Sequence, residues 1–286
     1  MEDGEYPPLL KEIFDPPYML YVKGKLPLSD NTISIVGTRN PSLYGIKMAE
    51  KFAMELAYCG FTVVSGLARG IDAAAHRGTL KIQGKTVGVL GSGFDNFYPR
   101  DNLGLSEEMS KRGAVLTEFS LSSKPEPSHF PLRNRIVSGM SRGTLVIEAG
   151  QKSGALITAN LAAEQGREVF AVPGQVDNLF SKGVNRLLKE GAALVENVQD
   201  ILDSLNMKAE KVLPPSEKEK KGLSGSEEKI MEAIGGGKKN IEELLVLTGM
   251  GQAELSGYLI GLIIKKILVE MPGKIYARRQ EEKDLI

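Results

Sequence analysis

The sequence has little of what metal-binding, disulfide-bonded and membrane proteins require. Its 286 residues contain one cysteine, two histidines and no tryptophan. The single cysteine, Cys59, excludes a disulfide framework and a zinc–cysteine cluster, and the sequence shows no spacing of carboxylates and histidines typical of metal ligands. No apolar run reaches the roughly 18 residues that a membrane span needs. We therefore expect a soluble, cytoplasmic protein with no metal, no cofactor and no membrane association.

The sequence also lacks net charge, because 36 Lys and Arg residues balance 36 Asp and Glu residues. Residues 1–206 taken alone are close to neutral as well. This balance excludes a globally basic nucleic-acid-binding surface. Any site for a polyanion must therefore be a local patch.

What the sequence does contain, between residues 31 and 206, is a regular alternation of short apolar runs and helical segments. The apolar runs, such as Ile33–Val36 and Thr144–Ile147, are continuous rather than alternating. Strands that are buried on both faces have this composition, which predicts parallel pairing with helices on each side. We predict an α/β fold with an extended Rossmann-like, doubly wound, mostly parallel sheet, whose ligands bind beyond the carboxyl ends of the strands.

Changes in composition divide the chain further. Residues 1–30 are punctuated by proline and partly apolar, and we expect them to pack on the main domain of residues 31–206. The Lys-, Glu- and Pro-rich residues 207–226 predict a flexible linker. Residues 227–280 show three helical segments and a hairpin, the pattern of a small C-terminal winged-helix-like domain. Its third helix, starting at Gln252, is nearly uncharged at its start, which favours a protein-interaction or accessory role over reading of duplex DNA.

The most informative stretch is an apolar run that ends in a glycine turn and continues as a helix. The turn contains Ser65, Gly66, Arg69 and Gly70, and an alanine-rich segment follows it. Such a turn points backbone N–H groups at one spot, at the positive end of a helix dipole, and glycine lets an anion come close. A tight turn without a ligand is the alternative, since isolated glycine patterns are weak signals.

Comparable turns follow three other predicted strands. Together these turns form a predicted phosphate-binding rim, made of Gly37, Thr38 and Arg39, then Ser65, Gly66, Arg69 and Gly70, then Gly91, Ser92 and Gly93, and finally Lys152, Ser153, Gly154 and Thr158. Since the carboxyl ends of parallel strands meet at one edge of a sheet, we expect these turns to lie side by side. Their shared composition favours a phosphate-bearing ligand over unliganded turns.

An arginine-rich segment extends this rim. It reads Phe130-Pro131-Leu132-Arg133-Asn134-Arg135 at the start of a predicted helix. Cations in a first helical turn oppose the helix dipole, so something must compensate Arg133 and Arg135. The compensating group is either a polyanion or an acidic residue of the protein, Glu118 or Glu148.

Two more cations and several aromatic rings lie in neighbouring loops. Arg100 and Lys124 would lengthen the rim. Aromatic residues interleaved with charge suit single-stranded nucleic acid, because bases stack on rings while phosphates follow the cations. We expect Phe130 to be exposed for such stacking and Tyr98 to close the edge of the sheet.

Other phosphate motifs match poorly. Gly91-Ser92-Gly93 lacks the third glycine of the dinucleotide fingerprint, and no GxxxxGK[ST] loop occurs. Asp72, in the first turn of its predicted helix, fits a capping and dipole role better than a catalytic one. These observations disfavour a nucleotide cofactor.

Several segments, taken together and in unbroken order, resemble the DNA-processing protein A (DprA/Smf) family. The segments that carry the resemblance are residues 37–39, 65–72, 91–99, 130–136, 153–159 and 172–174. The resemblance implies an extended Rossmann-like domain that binds single-stranded DNA cooperatively, forms a homodimer and loads a RecA-type recombinase onto incoming DNA during natural transformation. No catalytic activity is attached to this family.

The resemblance also implies roles for individual residues. Arg39 and Arg100 would contact DNA, and the phosphate pocket would be lined by Gly66, Gly70, Ser153 and Thr158. Members of the family often carry a small helical domain ahead of a Tyr-Pro-Pro segment, which we expect to be absent here.

Two other functions stay open at this point. A Rossmann-like nucleoside-monophosphate phosphoribohydrolase would use similar phosphate loops, with Glu148 as the nearest match to its catalytic carboxylate, although the glycine-rich run before such a residue is missing. A winged-helix regulator with a sugar-phosphate sensor domain is disfavoured by the neutral third helix of the C-terminal segment.

Overall fold

A computed structural model describes residues 6–26, 31–207, 224–265 and 267–278. The chain divides into two compact units, Met1–Lys211 and Val212–Ile286. Most of the predicted linker, residues 208–223, lies outside the described residues, as do residues 1–5, 27–30 and 279–280 of the neighbouring predicted segments.

The first unit is organised around a single sheet. Its strands are β1 (Tyr21–Gly24), β2 (Thr32–Val36), β3 (Thr62–Ser65), β4 (Thr86–Val89), β5 (Ala114–Thr117), β6 (Gly143–Val146), β7 (Glu168–Ala171) and β8 (Ala193–Leu194). Their order across the sheet is β1-β5-β4-β3-β2-β6-β7-β8. Strands β2 to β8 pair in parallel, and β1 pairs antiparallel to β5 with Tyr21 opposite Thr117. The predicted doubly wound, mostly parallel Rossmann-like sheet is confirmed.

Helices connect the parallel strands. They are α1 (Pro8–Lys11), α2 (Leu43–Tyr58), α3 (Ile71–Lys81), α4 (Leu103–Met109), α5 (His129–Gly139), α6 (Gly154–Glu164), α7 (Lys182–Lys189) and α8 (Val198–Ser204). Helix α2 packs on α3, and α5 packs on α6. Because crossovers are right-handed, helices α2 to α4 cover one face of the sheet and helices α5 to α7 cover the other. Helix α8, which follows the last strand, packs on α2.

Strand β2 is the point at which the order of strands reverses. The chain proceeds outward from β2 through β3 and β4 on one side, and outward through β6 and β7 on the other. Helices that follow β2 and β6 therefore leave toward opposite faces and open a crevice at the carboxyl ends of these two strands. Ligands of doubly wound sheets bind at such a switch point.

The core explains why the strands read as continuous apolar runs. All residues of β2 to β6 are buried, and Val36, Val64, Val87 and Leu116 belong to one apolar cluster. The N-terminal segment contributes Leu10 to the same cluster. Strands buried on both faces are mostly apolar, as the sequence pattern indicated, and the buried hydroxyls of Ser34 and Ser65 donate to backbone carbonyls.

In the second unit, the described residues form three helices and a small antiparallel sheet. Its elements are α9 (Gly225–Ile234), β9 (Lys238–Asn240), α10 (Ile241–Thr248), α11 (Gln252–Ile264), β10 (Leu268–Met271) and β11 (Ile275–Arg278), with the sheet in the order β10-β11-β9. Ser224 and Asn240 form capping boxes at the starts of α9 and α10. The predicted helices and hairpin are present, and the winged-helix assignment stays a prediction.

Candidate functional site

A cavity of about 230 Å³ lies beside the carboxyl ends of β2, β3 and β4. Its lining residues are Arg39, Asn40, Gly66, Ala68, Arg69, Gly91, Tyr98, Pro99, Phe130 and Arg133. The structure thus brings together part of the predicted rim, the residue Tyr98 and two residues of the arginine-rich segment. We call this group of residues the edge cavity.

An exposed arginine and two aromatic rings form one wall of the edge cavity. The Arg39 guanidinium lies over the Phe130 ring, with its central carbon 5.2 Å from the ring centroid. The Tyr98 and Phe130 ring centroids are 5.7 Å apart in a tilted arrangement. Tyr98 is 42 % exposed and Phe130 is only partly so. The expectations for both rings are therefore wrong. Phe130 is half-buried under the Arg39 guanidinium instead of exposed, and Tyr98 is exposed instead of closing the edge of the sheet.

Arg133 forms the floor of the edge cavity rather than its rim. Its side chain is only 4 % exposed, and its Nη1 donates to the carbonyl oxygens of Gly66 and Val89. Burial lowers the pKa of Arg133 to about 10, and the nearby charge of Asp72 opposes this shift. Arg133 ties the ends of β3 and β4 to α5, so we correct its predicted role from a direct anion contact to a support.

Asp72, in the first turn of α3, is tied to the glycine turn that precedes the helix. The backbone N–H of Ala68 donates to Asp72 Oδ2 at 3.3 Å, and the N–H of Ile71 donates to the carbonyl of Thr38 at 3.2 Å. Burial raises the pKa of the Asp72 carboxyl, while Arg133 and Arg39 oppose this shift. The dipole role predicted for Asp72 fits its place in the first turn of α3, and its backbone donor, Ala68, lies in the turn before the helix.

Glycine is required twice in this turn. Gly70 has a φ of +81°, and a Cβ there would collide with the carbonyl oxygens of Thr38 and Arg39. A Cβ on Gly66 would lie 2.6 Å from Arg133 Nη2 and 2.7 Å from Asp72 Oδ2. The glycines that suggested a phosphate loop thus allow close packing of the backbone against Arg133, Asp72 and the preceding turn.

A buried carboxylate lies at the N-terminus of α2, which follows the central strand. Glu148 is buried, its Oε2 accepts from the Ser42 N–H at 2.9 Å, and its Oε1 accepts from the Ser42 hydroxyl at 2.6 Å. The Thr38 N–H donates to the carbonyl of Glu148 at 2.7 Å. The N-terminus of α2, at the switch point, therefore contacts Glu148 where a nucleotide-binding Rossmann fold would hold phosphate. Asp72 lies in the first turn of α3, after the neighbouring strand β3.

Two further predicted contacts prove to be internal. Ser65 is fully buried, and its hydroxyl donates to the Ile35 carbonyl at 2.6 Å. Arg135 donates to both carboxylate oxygens of Glu118, at 3.1 and 2.6 Å, and pairs with Asp15 at 3.2 Å. Ser65 and Arg135 are therefore corrected to structural residues. The sequence left open whether a polyanion or an acidic residue of the protein compensates the charge of Arg135. The structure shows that Glu118 does so.

The remaining predicted residues lie outside the edge cavity or at its margin. Ser153 caps α6 by accepting from the Ala155 N–H at 3.3 Å, and Thr158 is buried. Neither Gly37 nor Thr38 lines the edge cavity, and Asn134 accepts from Arg133. Among these remaining predicted residues, the exposed ones are Arg100, Lys124, Lys152 and Gly154. The turn after β6 therefore does not share the cavity with the turns after β2 and β3.

Two residues that position the site were missed by sequence reasoning. Asp101 pairs with Arg69 at 2.7 Å, with both side chains more than half exposed. Buried Asn102 donates to the carbonyls of Leu67 and Ala68 at 2.9 and 3.1 Å and holds the glycine turn in place. No sequence signal marks this pair, because Asp and Asn are common in loops for other reasons.

The described residues contain no group of His, Cys, Asp and Glu side chains that could hold a metal ion. In the same part of the chain, no helix is long and apolar enough to cross a membrane.

Comparisons with known proteins agree with this architecture. Residues 1–206 match the family described as DNA recombination-mediator protein A. The chain is 44 % identical over 203 residues to DNA processing protein DprA of Bacillus subtilis, covering 70 % of this chain and 68 % of that protein. It is 35 % identical over 314 residues to Protein Smf of Synechocystis, covering 97 % of this chain and 79 % of that protein.

Two solved structures share the fold of the first unit. DNA processing protein A from Streptococcus pneumoniae superposes with a TM-score of 0.66 at 42 % identity, over 70 % of this chain and 71 % of that one. DNA processing protein A from Helicobacter pylori, whose structure addresses its single-stranded DNA binding mode, superposes with a TM-score of 0.65 at 31 % identity. This second match covers 72 % of this chain and 94 % of the other.

Proposed function

Because the chain belongs to the DNA recombination-mediator protein A family, we propose that it binds single-stranded DNA and catalyses no reaction of its own. In this proposal it protects incoming DNA and loads a RecA-type recombinase onto it during natural transformation and recombination. The relative from Helicobacter pylori, which is described as binding single-stranded DNA, supports the choice of ligand.

One observation carries the proposal: an exposed arginine lies over an aromatic ring beside a second, exposed ring. Arg39 offers a cation to a phosphate, and the Phe130 ring beneath it restricts its position. Tyr98 offers a face on which an unpaired base stacks. A duplex keeps its bases paired and stacked, so it cannot use Tyr98 in this way, and we expect the single strand to bind more tightly.

The rest of the strand follows exposed cations along the same edge of the sheet. We propose phosphate contacts with Arg69, Arg100, Lys124 and Lys152, all of which are exposed. Gly154 and Ser153, at the start of α6, lie next to Lys152 in the sequence and complete this path. Ser65 and Arg133, which are buried, and Arg135, which is paired with Glu118, are not part of it.

The contacts of Glu148 argue against the phosphoribohydrolase alternative, which needs this residue as its catalytic carboxylate. Both carboxylate oxygens of Glu148 accept hydrogen bonds from Ser42 at the start of α2. A general acid or base must reach the reacting atoms, whereas this carboxylate is buried and already caps a helix. We therefore prefer the binding function.

The family resemblance also leads us to propose a homodimer formed through the Rossmann-like domain and a cytoplasmic location. Exposed apolar side chains in the loop after β7, Val176, Leu179 and Phe180, and Leu194 on β8 offer surface for such a contact. For the second unit we propose a protein-interaction or accessory role, as its neutral third helix indicated.

Replacement of Arg39 tests the proposal. Binding of a labelled oligo-thymidylate and of the matching duplex is measured over a salt series for the wild type, Arg39→Ala and Arg77→Ala. Arg77 is an exposed arginine on α3 that does not line the edge cavity, so it controls for the loss of one charge. We expect preference for the single strand, about tenfold weaker binding for Arg39→Ala, and a log–log salt slope smaller by about 0.7 in that variant.

Arg77→Ala should retain both the affinity and the salt slope of the wild type. Equal affinity for duplex and single strand, or release of a base from a nucleotide, would contradict the proposed function.

A further inference from the structure

The sheet of the first unit has an open edge at β1, on the side opposite to β8. Strand β1 pairs with β5 and is the last strand of the sheet among the described residues. The backbone N–H of Lys25 donates to Gly113 at 2.9 Å, so by antiparallel alternation the backbone of Lys23 also faces β5. The N–H and C=O of Val22 then point away from the sheet. These groups are available to one more antiparallel or parallel strand.

A second cavity, of about 290 Å³, lies directly beside this open edge. Its lining residues are Tyr21, Val22, Lys23, Phe94, Phe97, Leu103, Ser106 and Leu121. Leu103, Leu121 and Val22 are each at least 40 % exposed, which is unusual for large apolar side chains grouped around one hollow. We call this group the β1 cavity, and it shares no lining residue with the edge cavity.

The segment that leads into β1 adds apolar surface. Phe14 and Tyr18 are almost fully exposed, and Met19 is 56 % exposed. None of the three packs into the core, although each is large and apolar. A solvent-exposed run of this kind beside an unpaired strand marks an interaction surface.

Exposed cations lie at this edge, and exposed carboxylates adjoin them, since Glu107 and Glu108 follow the lining residue Ser106 on α4. Lys23 is the charged residue among those that line the β1 cavity. Lys25 follows it, and Lys111 and Arg112 lie next to Gly113, to which Lys25 is hydrogen-bonded. All four side chains are exposed, and Arg112 Nη2 already donates to Gln83 Oε1 at 2.7 Å. Lysines on an edge strand oppose pairing with a neutral or basic strand and favour an acidic one.

From the outward-pointing backbone groups of Val22, the β1 cavity and the exposed Lys23 and Lys25, we infer that this edge binds an extended acidic peptide of a partner protein. The peptide adds as a strand to β1 through its backbone. An apolar side chain of the peptide fills the β1 cavity, and its carboxylates face Lys23 and Lys25. Backbone hydrogen bonds provide affinity in this mode of recognition, while the cavity and the charges provide specificity.

The test uses the full-length protein and a fluorescein-labelled peptide of about eight residues, twice the length of β1, with acidic and apolar residues in alternation. Fluorescence anisotropy gives its affinity for the wild type, for Lys23→Glu/Lys25→Glu and for Leu103→Asp. Leu43→Asp is the matched control, because Leu43 is an exposed leucine on α2 outside the β1 cavity. A peptide with proline at alternate positions, which lacks half of the backbone donors, controls for strand addition.

We expect saturable binding that weakens about tenfold or more in the charge-reversal variant, in Leu103→Asp and with the proline peptide. Leu43→Asp should bind like the wild type. Affinity for oligo-thymidylate should stay unchanged in every variant, which shows that each is folded and separates this test from that of the proposed function.

Three results would overturn the inference. The first is absence of binding, or binding that is indifferent to these changes. The second is a change of oligomeric state in Leu103→Asp by sedimentation, since the occupant would then be a second copy of the chain. The third is loss of oligo-thymidylate binding in Lys23→Glu/Lys25→Glu, which would assign the cations to DNA.

Discussion

Arg39 and Arg133 lie at the same cavity but differ in what surrounds their guanidinium groups. Arg39 is exposed and rests on the Phe130 ring. Arg133 is buried and donates to two carbonyl oxygens that belong to different strand ends. An exposed cation is free to meet a phosphate, whereas a buried cation satisfies groups that would otherwise lack partners.

This difference predicts opposite effects on stability. Arg133→Ala leaves the carbonyls of Gly66 and Val89 buried without a donor, and it leaves Asp72 without its nearest compensating charge. We expect a loss of about 3 kcal/mol or more in the free energy of unfolding. Arg39→Ala should cost less than about 1 kcal/mol, since surface substitutions have small effects. Urea denaturation of both variants measures the two values, and equal losses would refute the assignment.

His76 gives the fold a dependence on pH. It is fully buried, and its Nδ1 lies 2.6 Å from the Thr86 hydroxyl. Burial, with smaller contributions from Arg77 and Arg133, lowers the pKa of His76 to about 3. An unfolded histidine has a pKa of about 6.5, so between these values the unfolded state binds more protons. His76 therefore makes the folded state less stable as the pH falls from about 6.5 toward 3.

The expected slope is about 1.4 kcal/mol of unfolding free energy per pH unit in the middle of this range. Denaturant titrations of the wild type and His76→Asn at several pH values isolate this contribution, because all other groups are common to both. The difference in stability between the two proteins should change with pH by this amount. A difference that stays constant between pH 4 and 6 would show that His76 is protonated in the folded state.

The sequence predicted Arg39 and Phe130 as site residues, and both line the edge cavity. It did not reveal that Ser65 and Arg133 hydrogen-bond within the protein. Gly-Thr-Arg after a strand and an aromatic residue before an arginine-rich helix are local patterns, readable without the fold. The burial of Arg133 depends on carbonyl groups that lie 67 and 44 residues away. Contacts between residues so far apart produce no periodic pattern in the sequence. For this reason the sequence predicted that Arg133 binds an anion, whereas its guanidinium holds two strand ends together.

At the scale of elements, two helices have carboxylates of the protein at their N-terminal ends. Glu148 caps α2 from the turn after β6, and Asp72 occupies the first turn of α3. Each carboxylate accepts from a backbone N–H and offsets the helix dipole. The sequence anticipated this role for Asp72, but for Glu148 it could not, because the contact joins residues 106 positions apart.

The ion pairs of Arg135 tie the N-terminal segment to the sheet. Arg135 is 15 % exposed and bridges Glu118, after β5, to Asp15. A double-mutant cycle of Arg135→Ala and Glu118→Ala should give a coupling free energy of about 1–2 kcal/mol, because the pair is bidentate and largely buried. The matched control is Arg186–Glu190, an exposed pair on α7, for which we expect about 0.5 kcal/mol or less. Equal couplings would mean that burial does not strengthen the Arg135 pair.

Among the elements, the sequence predicted the buried parallel strands and their helices and missed short elements at the margins. Strands β2 to β7 are apolar throughout or nearly so, and glycine follows several of them. Strand β1 is mostly exposed and β9 is a three-residue lysine-rich strand, so neither has the pattern of a buried strand. Helix α8, with its Asn197 capping box, could have been found from its cap.

For the whole molecule, topology followed from the strict alternation of strands and helices. The rule that ligands bind beyond the carboxyl ends of the strands then predicted the right edge of the sheet, although the edge cavity lies at β2, β3 and β4 and not between β2 and β6. The antiparallel addition of β1 could not be derived, since no rule connects a short N-terminal strand to a particular edge. The domain limits at residues 30, 206 and 226 stay predictions, and the two units are each compact.

The central claim is that a single DNA strand lies across the edge cavity, with a base on Tyr98 and a phosphate at Arg39. Photocrosslinking of the full chain to an oligo-thymidylate carrying 5-iodouracil, followed by peptide mass spectrometry, tests this claim most directly. We predict crosslinks to the peptides that contain Tyr98 or Phe130, and their loss in Arg39→Ala at limiting protein concentration. Crosslinks confined to residues 224–278, or to the amino edge of the sheet, would contradict the account.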